Sequence, residues 1–215
     1  MNKKKDLKIV TLTMNLAIII FEIIGFVIVF KDNGFKLFEY YTQDSNLLLL
    51  VSSIMISIYM IKCLKGKKVK VPRWFSAFRL TAVLSVLVTF FTVVFFLMPT
   101  FGGPKEALID GSMKYHHLLC PILATLSFIF YEKYEIKKYD NIKSLIFTIL
   151  YSVVLIILNI LKVVDGPYPF LRVTSQSLVK SVGVSVAMLV GAIAISYLLV
   201  ILNKKLCVKK VETLK

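Results

Sequence analysis

Two short polar groups in this 215-residue chain have residue types and spacing suited to chemistry. The first is Tyr40-Tyr41-Thr42-Gln43-Asp44-Ser45-Asn46, set directly against the apolar run Leu47 to Ile61. On a helix Thr42, Ser45 and Asn46 stand at i, i+3 and i+4 and share one face. The second is His116-His117, which holds the same position relative to another apolar run. A hydroxyl becomes a nucleophile when a neighbouring base removes its proton, and histidine does this near neutral pH. Thr42 with one of the two histidines is the pair suited to that role, and Ser45 is the competing hydroxyl. A rim of amphipathic residues at a membrane interface would use the same residue types. Both readings stand at this point.

The elements that must position these groups are membrane spans. The chain is 58% hydrophobic with a mean hydropathy of +0.80, above the roughly 45–50% apolar content of soluble domains. The excess collects in six blocks, about 9–30, 43–62, 75–98, 115–131, 144–164 and 178–202, most of them near the ~20 residues that a bilayer requires. The segments between them are too short for a separate domain. The expected architecture is all-α: one integral membrane bundle of six transmembrane helices over residues 1–215. The first block is read as an uncleaved span, because no small-residue cleavage pattern precedes Lys31-Asp32-Asn33.

The net charge of +15 would suggest nucleic acid in a soluble protein, but its distribution follows topology instead. Of the 27 Lys and Arg residues, twenty fall at the N-terminus, after the second block, after the fourth and in the C-terminal tail. The alternate loops share the other seven. The positive-inside rule then places both termini in the cytoplasm of a multi-pass plasma-membrane protein. The expected partners are membrane lipids, not nucleic acid. Arg79 lies close enough to the inner end of the third block to be expected to snorkel.

Further polar residues fall in the outer halves of the blocks: Glu22, Asn159 and Lys180. An intramembrane carboxyl usually faces the bundle interior. Gly183, Ala187 and Gly191 recur every four residues and read as a face for close helix packing. Pro121 follows the histidines and is expected to leave the His117 carbonyl without its helical donor. Adjacent residues on a helix point about 100° apart, so His116 and His117 cannot grip one metal together. No metal and no cofactor is expected, and the three cysteines form no disulfide framework.

Tyr41-Thr42-Gln43-Asp44-Ser45-Asn46 resembles the aromatic-Thr-x-x-Ser-Asn box of the androgen-induced/FAR-17a-like six-span membrane proteins and their bacterial relatives. His117-Leu118-Leu119-Cys120-Pro121 is similar to the His-x-x-x-Pro of the bacterial branch, and Pro167-Tyr168-Pro169-Phe170-Leu171 to its outer turn. The resemblance implies intramembrane hydrolysis of lipid esters with a Thr and a His as essential residues. By motif these fall on Thr42 and His117, with His116 as the alternative register. Tyr41 stands where the family has Phe, and Asp44 adds a charge. A non-catalytic carrier, lipid-binding or interaction protein, with Glu22 and Lys180 as its contacts, is the competing expectation.

Overall fold

A computed structural model describes residues 3–69, 71–100, 102–164, 166, 168, 171–172 and 177–208. Every described element is helical. The α-helices are α1 (Lys3–Asn33), α2 (Tyr41–Leu64), α3 (Arg73–Thr92), α4 (Pro104–Leu108), α5 (Cys120–Phe130), α6 (Asp140–Lys143), α7 (Ile146–Ile160) and α8 (Leu178–Leu202). Three π-helical turns extend them: Val93–Leu97 after α3, Lys114–Leu119 before α5, and Asn203–Val208 after α8.

Five of these helical segments are long and apolar enough to cross a membrane: Lys5–Glu39, Tyr41–Leu64, Arg73–Leu97, Asp140–Ile160 and Val179–Cys207. The expected fourth span is shorter, a six-residue π-turn running into the 11 residues of α5. The protein is therefore a helical bundle of five helices long and apolar enough to cross a membrane, with a shorter sixth segment packed on α1 and α3. Its outward side chains are the apolar ones: Ile20, Val27, Ile54, Ile58, Val154 and Leu198 are all exposed. Much of the polar content lies inside. On α2, Thr42, Ser45, Asn46, Leu49, Ser52, Ser53, Ile56 and Ser57 form one buried stripe at the spacing of a helix face packed on its neighbours.

α1 packs along α2 and α5, and α3 lies against α2, α5 and α8. These contacts define two ends of the bundle. At one, the start of α1 and the end of α8 meet the α5 terminus: Thr11 Oγ1 donates to the Tyr131 carbonyl, and Asn203 Nδ2 to the carbonyls of Phe128 and Glu132. This is the terminus end; the other is the Thr42 end.

The terminus end is held by Arg79. The expectation that it snorkels is overturned: the side chain is wholly buried and all five of its N–H donors are used. Nε and Nη2 grip Glu132 Oε2 and Oε1 at 3.0 and 2.8 Å, Nη1 reaches Ser52 Oγ and Ser53 Oγ, and Nη2 also donates to Asn15 Oδ1. Ser127 and Tyr134 donate to the same carboxylate at 2.5 and 2.6 Å. Burying a guanidinium costs several kcal/mol unless its geometry is complete; a carboxylate on the next segment makes burial cheaper than reaching for the interface.

Candidate site at the Thr42 end

The opposite end is built on Asn46. It is fully buried, and its Nδ2 donates to the Thr42 carbonyl at 2.7 Å and to the His116 carbonyl at 3.4 Å. One amide thus ties the hydroxyl box to the histidine box. The second bond has a local cause. The His segment is π-helical, with Cys120 N–H bonded to the Tyr115 carbonyl five residues back. In that register the donor that Pro121 lacks is the one owed to His116, not to His117 as an α-helix would have it. The orphaned carbonyl is the one Asn46 reaches.

The two histidines have different partners. His117 Nδ1 lies 2.9 Å from the Ala107 carbonyl. A carbonyl only accepts, so Nδ1 carries the proton and neutral His117 presents Nε2 as a bare acceptor. Ala107 sits in α4, a five-residue helix that begins at Pro104 after two glycines of positive φ, Gly102 and Gly103. Its buried methyl brings this carbonyl to the ring. His116 instead faces α1, with Nε2 3.4 Å from Glu22 Oε2 and its ring 5.0 Å from that of Phe26.

Thr42 faces away from α1. Its N–H donates to Tyr168 Oη at 3.4 Å, and its carbonyl accepts from Ser45 Oγ as well as Asn46. Ser45 Oγ pairs in turn with Thr89 Oγ1 at 2.9 Å. A space of about 30 Å³ adjoins Thr42, lined on its polar side by Thr89, Thr92, Thr148 and Tyr168. That is room for roughly two waters, or for one carbonyl group. Burial pushes the Tyr168 phenol up to about 12, so it keeps its proton. No histidine lines this space, and no hydrogen bond among the described residues joins Thr42 Oγ1 to either ring.

The other expected site residues separate. Asn159 is buried but caps its own helix end, with Nδ2 on the Val164 carbonyl. Lys180 is exposed, whereas Glu22 is fully buried. Pro167, Pro169 and Phe170 lie outside the described residues. Several buried polar atoms at this end have no hydrogen-bond partner among the described residues: both Glu22 oxygens, both His116 nitrogens, Gln43 Oε1 and Asn46 Oδ1. The Arg79 cluster, by contrast, satisfies every donor on its guanidinium. Unsatisfied buried groups are costly, and among the described residues the terminus end has some too: Arg73 Nε, Asn141 Oδ1 and Asn203 Oδ1. Among the described residues no set of three His, Cys, Asp or Glu is arranged to hold a metal.

Comparison with models of known protein families, with curated proteins and with solved structures finds no match. Function must therefore be argued from these residues and their geometry.

Proposed function

We propose that this chain is a six-span protein of the cell membrane with both termini in the cytoplasm, and that its Thr42 end hydrolyses lipid esters at the outer leaflet. The reading agrees with the resemblance to the androgen-induced/FAR-17a-like proteins. One observation carries it: His117 is oriented by the Ala107 carbonyl through Nδ1, which leaves Nε2 as the proton acceptor. That is the third member that a hydroxyl–histidine pair needs, supplied by backbone. It supports the reading with His117 as base, ahead of the alternative His116, whose Nε2 faces Glu22.

In this reaction Thr42 Oγ1 attacks the ester carbonyl carbon while His117 Nε2 takes its proton. The C–O bond to the alcohol breaks, the alcohol leaves with that proton, and water then releases the acid from the acyl-threonine. Asn46 directs both amide hydrogens at carbonyls, so it positions the two boxes. The protonated Tyr168 hydroxyl, beside the same space, is the better donor for the developing oxyanion.

The test is labelling of the purified protein in lipid with a fluorophosphonate probe, beside Thr42→Ala and His117→Ala. Loss of labelling in both supports the reading; labelling that survives Thr42→Ala removes Thr42 as nucleophile. A non-catalytic lipid-binding protein or carrier is the second reading, favoured by the lack of a histidine around the Thr42 space. Lipid binding that depends on Glu22 but not on Thr42 would select it.

A further inference from the structure

The small residues of α8 do not serve the close packing expected of them. Among the described residues, a Cβ built on Gly183 or on Gly191 meets nothing within 4 Å. At Gly191 the open space is a groove of about 430 Å³ between α3 and α8. Ala187, Gly191 and Ala194 line its α8 side, and Phe91, Phe95 and Phe96 its α3 side. The groove runs from Val88 to Phe96 on α3 and from Ala187 to Ile195 on α8, eight helical rises of ~1.5 Å, or about 12 Å along each. The π-turn at Val93–Leu97 carries Phe95 and Phe96 outward, where they are exposed, and Phe95 stacks on Phe91 at 5.9 Å.

This groove adjoins the Thr42 space. Val88, Thr92 and Met188 line both. The groove is apolar and open along the helices, and the small chamber beside it is lined by hydroxyls. We infer that the α3–α8 groove holds one acyl chain of a membrane lipid, with the ester at the head of that chain lying in the Thr42 chamber. A chain that is apolar along its length and polar at one end matches the gradient. A helix from a second copy would cover the groove but would leave the hydroxyl chamber without a partner group. The inference rests on the proposed hydrolase for the fate of the ester; occupation of the groove does not depend on it.

The probe is a phosphatidylcholine carrying a diazirine at the middle of one acyl chain, within reach of the groove when the ester lies in the chamber, in nanodiscs containing the purified protein. After irradiation, adducts are mapped by mass spectrometry. Adducts are expected to concentrate on peptides covering Phe91–Phe96 and Ala187–Ile195, above the lipid-facing Val153, Val154 and Ile157 of α7. Gly191→Leu and Ala187→Leu, which fill the groove, should each reduce groove adducts about tenfold, the affinity carried by roughly two buried methylenes. They should leave the α7 adducts unchanged. Gly191→Ala places a methyl in open space and serves as the folded control. Even labelling over all lipid-facing helices, or groove adducts unchanged in both leucine variants, overturns the inference. So do dimers cross-linked through Ala194→Cys in protein whose groove takes no adduct. Thr42→Ala separates the two proposals: groove adducts persist in it if the inference holds, whatever the fluorophosphonate result.

Discussion

Glu22 Oε2 stands 3.4 Å from His116 Nε2, and the imidazole lies so close to α1 that only a glycine fits behind it. A Cβ on Gly25 would overlap Nε2 of the ring and come within 2.7 and 2.9 Å of Cδ2 and Cε1. Gly25→Ala therefore has to displace the His116 ring from its place beside Glu22. A loss of ~1–3 kcal/mol is expected, the range for overpacking in a tight interior. Thermal unfolding in nanodiscs measures it, and an unchanged midpoint would mean that the ring moves freely.

The Arg79–Glu132 pair makes a larger prediction. Removing one partner leaves the other charge buried, so Arg79→Ala or Glu132→Ala should cost ~3–5 kcal/mol. Arg79→Lys should rescue little, since an ammonium cannot reproduce the two-pronged grip or the five donors. The double variant Arg79→Met with Glu132→Leu should be less damaging than either alanine. Unfolding midpoints of the parent, Arg79→Met, Glu132→Leu and the double variant, compared as a cycle, decide it; simple additivity would count against the pair.

Asn46 and Pro121 should be coupled although they lie on different helices. Pro121→Ala restores an N–H that can turn back to the π-turn and compete for its carbonyl. The cost of Asn46→Ala should then shrink by ~1 kcal/mol, the net worth of one hydrogen bond. A double-variant cycle on stability reads this directly, and zero coupling would break the link drawn between the missing proline donor and Asn46.

Tyr168 sets an alkaline limit. Its phenol is pushed from 10.0 up to about 12 by burial, so the folded state holds the proton more tightly than the unfolded chain. The corresponding stability is complete below pH 10 and is lost as the pH rises from there through about 12. Tyr168→Phe should flatten that part of the profile. It also leaves the Thr42 N–H without its acceptor, at ~1–3 kcal/mol. A pH titration of stability that is identical in both proteins would remove Tyr168 as the cause.

What could be read from the sequence follows from what is local. Apolar runs and the i, i+3, i+4 spacing of Thr42, Ser45 and Asn46 depend on residues close in the chain, and those residues do form one buried face of α2. Partners across the bundle leave no such trace. Nothing near Arg79 announces Glu132, 53 residues on, and nothing near His117 announces a carbonyl in a five-residue helix. The one available signal was Pro104 after Gly102-Gly103, a start for a short helix that reads equally well as a turn. The glycine stripe misled for a related reason: small residues permit close packing and open space alike, and only the neighbouring helix decides which.

The Arg79–Glu132 grip also bears on how the chain is made. Arg79 leaves the ribosome 53 residues ahead of the carboxylate that neutralises it. At ~5–20 residues per second, that interval lasts roughly 3–10 seconds. Through it the guanidinium has only neutral partners, Asn15, Ser52 and Ser53 of the helices already made, and a charge in a span without its counter-charge is costly. Nascent chains arrested before Glu132 should therefore be extracted from the membrane more readily than chains that extend past it.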